Sequence, residues 1–466
     1  MRFVILGGGP AGYAAAGTAA AVGARVTVIE RRGLGGNCTL IDAIPSKTLL
    51  HTASVMATVE TADRIGVRFE HGRPSVDLLT TIAHARWLAA HQAGSVRQRL
   101  DASEAEVVYG EGRIAQDGVV EVTTEDGVRV LEYDHLLIAT GASPWEPPFA
   151  KVDHERVFTT RHVLDLQSFP EHLLVVGAGA TGCEYAEFFQ SCGVRCTLFS
   201  PRAQILPQED RDMAEIVHEE FLLRGMEIVL GARVTSVDPS DEGVSLTAQD
   251  GRTFEGSHAL ICMGMRPEIA GLGLDEVGVE TSSRGEIVID EQCRSTNPRI
   301  SAGGDVTGGW MLASTAAMQG RIAALSVLGH TIQGLSLDAI AGTVFTSPEV
   351  ADVGLTESKA RAANRTVAVT RHDLRNNPRG VIAGQNHGMI KLIWDPDNGQ
   401  VLGGSIVGYR ASELIATIAL AVKAGLTVDD LAETGAVTPS MSESVQRCAE
   451  RAANDRVARV GSQVTL

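Results

Sequence analysis

Twice in this chain a short apolar run ends on a G-x-G-x-x-G turn and passes directly into a helix-forming stretch of small residues. A parallel βαβ unit meets all of those demands, because the turn must be tight and the helix must pack closely on the strand before it. The first unit is Arg2-Phe3-Val4-Ile5-Leu6, then Gly7-Gly8-Gly9-Pro10-Ala11-Gly12, then an alanine-rich helix ending near Gly23. Gly7 makes the turn, Gly9 lets the backbone approach a pyrophosphate, and Gly12 permits close helix packing. A further apolar run, Arg25 to Ile29, leads to Glu30, where an acceptor for ribose hydroxyls is expected about 20 residues past the turn.

The second unit runs from His172-Leu173-Leu174-Val175-Val176 through Gly177-Ala178-Gly179-Ala180-Thr181-Gly182 into a helix reaching Cys192. Its next strand, Arg195 to Phe199, ends on Ser200 instead of an acid. A carboxylate at that point hydrogen-bonds a 2′-hydroxyl and repels a 2′-phosphate, whereas a small residue beside an arginine tolerates the phosphate. Ser200 followed by Pro201-Arg202 therefore leans towards NADPH over NADH, with a solvated surface charge as the plain alternative for Arg202. Two dinucleotides are expected, at two sites that differ.

At 466 residues the chain exceeds one compact core and suggests about three domains. With 57 Asp and Glu against 40 Lys and Arg the net charge is −17, so nucleic acid is not an expected partner. Gly7-Gly8-Gly9-Pro10 breaks the N-terminal apolar stretch too early for a signal sequence, and no segment supplies the ~20 uninterrupted apolar residues of a membrane span. A cytoplasmic protein without integral membrane association is expected. The seven cysteines, Cys38, Cys183, Cys192, Cys196, Cys262, Cys293 and Cys448, are odd in number and scattered, with no CxxC or HExxH sequence. Neither a disulfide framework nor a metal site is expected.

Three more strand-to-turn segments follow: Leu136-Leu137-Ile138-Ala139-Thr140-Gly141, Ala259-Leu260-Ile261-Cys262-Met263-Gly264 and Ile300-Ser301-Ala302-Gly303-Gly304-Asp305. In this order the motifs resemble the two-dinucleotide flavoprotein family of lipoamide dehydrogenase, glutathione reductase and mercuric reductase, from Met1 to about Ser444. The resemblance implies an α/β fold with two Rossmann-like dinucleotide-binding domains, for FAD and NAD(P), and a C-terminal α+β dimerisation domain. It implies FAD contacts from Gly7, Gly9, Gly12, Glu30, Lys47, Gly112, Gly141, Asp305 and Ala313, the last opening a helix whose N-terminus would face the flavin pyrimidine ring. The NAD(P)H contacts fall to Gly177, Gly179, Gly182, Ser200, Arg202 and Gly264. Residues 1–148 and 268–337 would form the FAD domain, 149–267 the NAD(P)H domain and 338–466 the interface of a homodimer. Strand patterns such as Met389 to Trp394 and a helix pattern from Ser412 to Ala424 agree with a separate α+β layer.

The family's disulfide reductases place a CxxxxC pair just before Pro-Ser-Lys. This chain reads Gly36-Asn37-Cys38-Thr39-Leu40-Ile41-Asp42-Ala43-Ile44-Pro45-Ser46-Lys47, with Ala43 at the flavin-facing position. A methyl group forms neither the disulfide nor the thiolate contact, and Cys38, five helical residues or roughly 7 Å away along the axis, cannot cycle as a dithiol alone. Near the C-terminus, Thr438 stands where the family has a general acid–base histidine, while Glu443 is kept without that partner and is left to packing or local hydrogen bonding. A hydroxyl has no pKa near neutrality and cannot shuttle the thiol proton.

Lys47 and Glu184 remain, and in the family they form an ion pair beside flavin N5, which makes them the candidate catalytic residues; a purely structural salt bridge is the alternative. The expected reaction is hydride transfer from NADPH or NADH through FAD to a diffusible small-molecule acceptor, a quinone first. Within the family the chain looks most similar to actinobacterial NAD(P)H:quinone reductases, including in Met318-Gln319-Gly320-Arg321 and Leu374-Arg375-Asn376-Asn377. A soluble NAD(P) transhydrogenase and a non-catalytic flavin-bearing nicotinamide sensor are the alternatives.

Overall fold

The computed structural model describes residues 1–60, 62–68 and 74–464, so residues 61, 69–73, 465 and 466 of the division above lie outside the described residues. Two five-stranded parallel sheets repeat one spatial order. In the first the strands are Ile300–Ala302, His135–Ile138, Arg2–Leu6, Arg25–Glu30 and Glu106–Tyr109. In the second they are Val157–Thr159, His258–Ile261, His172–Val176, Arg195–Ser200 and Glu227–Leu230. The central strands, Phe3 to Leu6 and Leu173 to Val176, are buried at every residue. Strands covered on both faces need such unbroken apolar runs.

The two sheets differ in where their outer strand comes from. Val157–Thr159 precedes the second sheet in sequence, but Ile300–Ala302 returns to the first only after the whole second sheet, pairing in parallel with Leu136 to Ile138. Each sheet also carries an antiparallel three-stranded layer, Glu111–Gln116 with Val119–Thr124 and Gly127–Glu132, and Val234–Pro239 with Val244–Ala248 and Thr253–Gly256.

Helix Pro10–Ala21 follows the first glycine turn and helix Ala180–Ser191 the second. The first packs against helix Ala313–Val327 at backbone distance: a Cβ on Gly320 would stand 2.0 Å from the Ala11 carbonyl oxygen. The small residues Ala11, Ala15, Ala16 and Ala19 on the facing helix are all buried, which this close approach requires.

The C-terminal region is an antiparallel sheet in the order Gly342–Val344, Glu349–Gly354, Val401–Gly408, Met389–Trp394 and Ala368–Asp373. Ile390, Leu392 and Trp394 share a core with Ile415 and Ile418 of helix Ala411–Ala424 and with Val445 and Cys448 of helix Ser442–Val464. The alternation of a strand sends Lys391 to the opposite face, where it is fully buried and meets Asp210 at 3.0 Å and also Asp212. Asp212 belongs to helix Arg211–Leu223, so this buried ion cluster fastens the antiparallel sheet to the second parallel unit. Among the described residues no helix is long and apolar enough to cross a membrane.

Candidate active site

At the carboxyl ends of the first sheet's strands lies a cavity of about 480 Å³, within the range of small-molecule sites. Gly7, Gly9, Glu30, Gly112, Gly141, Asp305 and Ala313 all line it. Gly12 lies behind the turn, where a Cβ would stand 1.9 Å from the Gly7 carbonyl oxygen, so its part is helix packing. Gly112 forms wall because any larger residue would run into the Leu6 side chain at 2.6 Å.

Glu30 is buried and held by three backbone donors. Its Oε2 accepts from Gly8 N at 2.7 Å, and its Oε1 accepts from Arg32 N at 2.7 Å and Gly33 N at 3.2 Å. A carboxylate has about four acceptor sites, so capacity is left for ribose hydroxyls. Arg31 closes one side of the cavity through Glu268 at 2.8 Å and Glu111 at 3.3 Å, a rim that no sequence motif marks.

Asp305 follows the strand Ile300–Ala302, and burial, helped by the nearby charge of Asp42, pushes its carboxyl up to about 6. The preceding turn is held by Gln319, whose Oε1 accepts from Gly304 N at 2.7 Å. Met318-Gln319-Gly320-Arg321 thus buttresses the Asp305 turn and the close helix packing. Helix Ala313–Val327 starts at the cavity with no side-chain cap, which leaves its first N–H groups and the positive end of its dipole for an anionic guest. Acceptor, carboxylate and open helix end together fit a flavin dinucleotide.

The segment from Gly36 to Lys47 is not the continuous helix that the 7 Å separation assumed. It is two helices, Gly36–Leu40 and Ala43–Glu60, broken where Ile41 leaves helical geometry at φ −131°. Ile41 N and Asp42 N both bond back to the Asn37 carbonyl and end the first helix, and Ser46 N bonds the Asp42 carbonyl to start the second. Cys38, Asp42 and Ala43 all face the cavity, and Cys38 is the only cysteine among its lining residues. Burial, then the charges of Asp42 and Asp305, push the Cys38 thiol up to about 11. Such a group stays protonated at neutral pH and is a poor nucleophile.

Lys47 and Glu184 meet as the resemblance implied, Nζ to Oε2 at 2.9 Å. Glu184 is buried on helix Ala180–Ser191, and its other oxygen accepts from Phe345 N at 2.9 Å, while Lys47 is a third exposed and lies 5.1 Å over the Phe345 ring. Neither is among the residues lining the cavity itself. The pair joins the first unit, the second unit and the C-terminal sheet.

Glu443, without the family's histidine, bonds locally. Thr438 Oγ1 donates to its Oε1 at 2.9 Å and Ser440 N to its Oε2 at 3.2 Å, and these bonds, the Thr438 one first, hold the carboxyl below its ordinary range. Asn377 connects to the same segment: its amide donates to Ser440 O at 2.9 Å and Ser444 Oγ at 2.8 Å while its oxygen caps helix Pro378–Ala383. Leu374-Arg375-Asn376-Asn377 is therefore a structural brace here.

The second glycine turn copies the first. A Cβ on Gly182 would stand 1.8 Å from Gly177 O, and Gly179 faces open space. Gly264 lies just past strand His258–Ile261 with φ +91°. Ser200 is buried, with its hydroxyl donating to Gln204 O at 2.9 Å and accepting from Arg202 N at 3.1 Å. That proton is committed within the turn, so Ser200 shapes the loop. Arg202 is exposed and makes no ion pair among the described residues.

The family profile described as pyridine nucleotide-disulphide oxidoreductase matches residues 1–320, and the dimerisation domain of the same description matches residues 340–449. The chain is 39% identical over 460 residues to an NAD(P)H dehydrogenase (quinone) of Mycobacterium tuberculosis, covering 97% of this chain and 93% of the relative. It is 35% identical to a dihydrolipoyl dehydrogenase of Chlorobaculum tepidum, covering 96% and 95%. The crystal structure of LpdA from M. tuberculosis superposes with a TM-score of 0.92 at 39% identity, covering 97% and 99%. The flavoprotein disulfide reductase RclA from Escherichia coli, in its Cu(II) complex, superposes with a TM-score of 0.87 at 26% identity, covering 96% and 98%.

Proposed function

The chain belongs to the pyridine nucleotide-disulphide oxidoreductase family, and from that premise we propose that it passes hydride from NAD(P)H to a diffusible quinone without a catalytic disulfide. Members of the family use FAD and NAD(P)H and are oxidoreductases. The observation that carries the reading is Ala43: it occupies the cavity wall of an otherwise complete flavin site, with Cys38 the only lining thiol. The name of the M. tuberculosis relative supports the quinone.

FAD, when bound, stores the two electrons that arrive with hydride. Gly7, Gly9, Glu30 and Asp305 would hold it, with the open end of helix Ala313–Val327 facing its anionic part. Glu184 fixes the Lys47 ammonium at one point, and the Phe345 amide fixes Glu184, so the pair presents an oriented charge where a nicotinamide docks. Arg202 would favour NADPH through its 2′-phosphate. We assign residues 1–148 and 268–337 to the FAD domain, 149–267 to the NAD(P)H domain and 338–466 to the interface of a cytoplasmic homodimer.

The test is anaerobic reduction with NADPH or NADH, followed by reoxidation with menadione, an NAD⁺ analogue or lipoamide in parallel. Bleaching of the flavin and fast recovery with menadione alone is the expected outcome. Recovery with the NAD⁺ analogue at the menadione rate would make the protein a transhydrogenase, lipoamide turnover surviving Cys38→Ser would refute the reading, and an unbleached flavin would leave a nicotinamide sensor.

A further inference from the structure

Reducing a quinone to a hydroquinone takes two electrons and two protons, and hydride carries both electrons but one proton. The second proton needs a donor beside the acceptor, and Thr438 has no proton to give near neutrality. The cavity wall holds one acid with no other assignment. Asp42 stands next to Ala43, at the N-cap position of helix Ala43–Glu60, where an aspartate ordinarily accepts from the N–H of the second or third helical residue. The third helical residue is Pro45, which has no N–H, and the Asp42 carboxyl makes no hydrogen bond among the described residues. It lines the cavity instead.

We propose that Asp42 is a catalytic acid, which delivers to the quinone the proton that accompanies the hydride. This rests on the quinone reading above. The Asp42 O–H bond breaks and an O–H bond forms on one quinone oxygen, the other oxygen receives the hydride that NAD(P)H supplied, and the carboxylate recovers its proton from water. The products are hydroquinone and NAD(P)⁺, and no further oxidant or reductant is needed.

The groups around Asp42 make it the proton carrier. Lys47, one turn on in the same helix, is the one cation among them, and it is engaged by Glu184. Cys38 on the preceding helix and Asp305 past the first sheet share the cavity, while Tyr185 on helix Ala180–Ser191 and Cys262 after strand His258–Ile261 feel the Asp42 charge from the second unit. Burial raises the Asp42 carboxyl above its ordinary value, with Lys47 opposing, a shift in the direction that favours the protonated form a donor needs. Cys38 at about 11 is too weak an acid for that part.

The experiment compares the holoenzyme with Asp42→Asn and Asp42→Glu. Asp42→Asn should lower menadione turnover about 100-fold and leave ferricyanide, a one-electron acceptor that takes up no proton, within about twofold. Wild-type menadione turnover should fall tenfold per pH unit once the acid is deprotonated, and Asp42→Asn should be flat. The flavin midpoint potential gives a readout apart from turnover: above the pH at which Asp42 ionises in the oxidised enzyme, the charge of the reduced flavin should draw one extra proton onto it, so wild type should there shift by about 30 mV more per pH unit than Asp42→Asn, one extra proton per two electrons. Asp42→Glu should restore the steeper slope. Equal slopes, equal pH profiles or parallel loss with ferricyanide would overturn the assignment, as would loss of flavin from both variants, since the carboxyl would then serve cofactor binding. A wild type that reduces ferricyanide but no quinone defeats the quinone reading, and the potential slopes still decide whether Asp42 carries the proton.

Discussion

Glu184→Ala is the most informative perturbation of the hydride side. At 2.9 Å and an effective dielectric of 20, the gross attraction to Lys47 is about 6 kcal/mol, most of it offset by dehydrating the carboxylate. Truncation strands the Phe345 N–H and frees Lys47, but Lys47 is already a third exposed and regains water easily. The cost to stability should therefore be about 2 kcal/mol, below the 3–5 kcal/mol of a fully buried pair. Flavin reduction should suffer by a similar free energy: losing the orientation of Lys47 should slow it by about 10–100-fold, or 1.4–2.8 kcal/mol of barrier. Glu184→Gln keeps an acceptor for Phe345 N, so it should regain most of the stability and little of the rate. The assay is anaerobic stopped-flow bleaching of the flavin by NADPH, with FAD affinity measured on the same preparations. An unchanged reduction rate, or a rate loss matched by equal loss of FAD affinity, would refute the role assigned to the pair.

Cys38→Ser should leave menadione turnover within about twofold, because a thiol held near 11 is not a thiolate at neutral pH; a tenfold loss in steady-state assays would give Cys38 a part in the reaction. Arg202→Ala should raise the KM for NADPH about tenfold and leave that for NADH unchanged, and equal effects on both would remove Arg202 from phosphate recognition. Asp305 gives the pH dependence. Its folded value of about 6 lies above the ordinary 3.8, so its contribution to stability is present at low pH and is lost as pH rises through about 6. In flavin-free protein, thermal melts should therefore show Asp305→Asn gaining on wild type between about pH 4 and pH 6, by at most about 3 kcal/mol, and a gap that narrows with rising pH would contradict this.

The fold was legible to the extent that it is written in local demands. The apolar runs at Arg2–Leu6 and His172–Val176, the glycines that a Cβ would turn into a clash, and the Glu30 and Ser200 strand ends are each set by a few consecutive residues. Ala43 and Thr438 were visible as substitutions in a known pattern. The break at Ile41 and Asp42 was not, because it depends on Asn37 taking two backbone bonds and on the packing around the cavity. Nor were the tasks of Gln319 and Asn377, which brace turns that are distant in sequence or belong to another element.

Sequence by itself determined two dinucleotide units, their order and the absence of a cysteine at position 43, since those depend on backbone sterics and side-chain identity. Tertiary structure decided which groups meet. Glu184 reaches both Lys47 and the Phe345 amide, Lys391 is buried against Asp210, and the Asp42 carboxyl faces the cavity beside Asp305. Those contacts join residues more than a hundred positions apart or turn on the direction of one side chain, and electrostatics in a low-dielectric interior is set by distance in space.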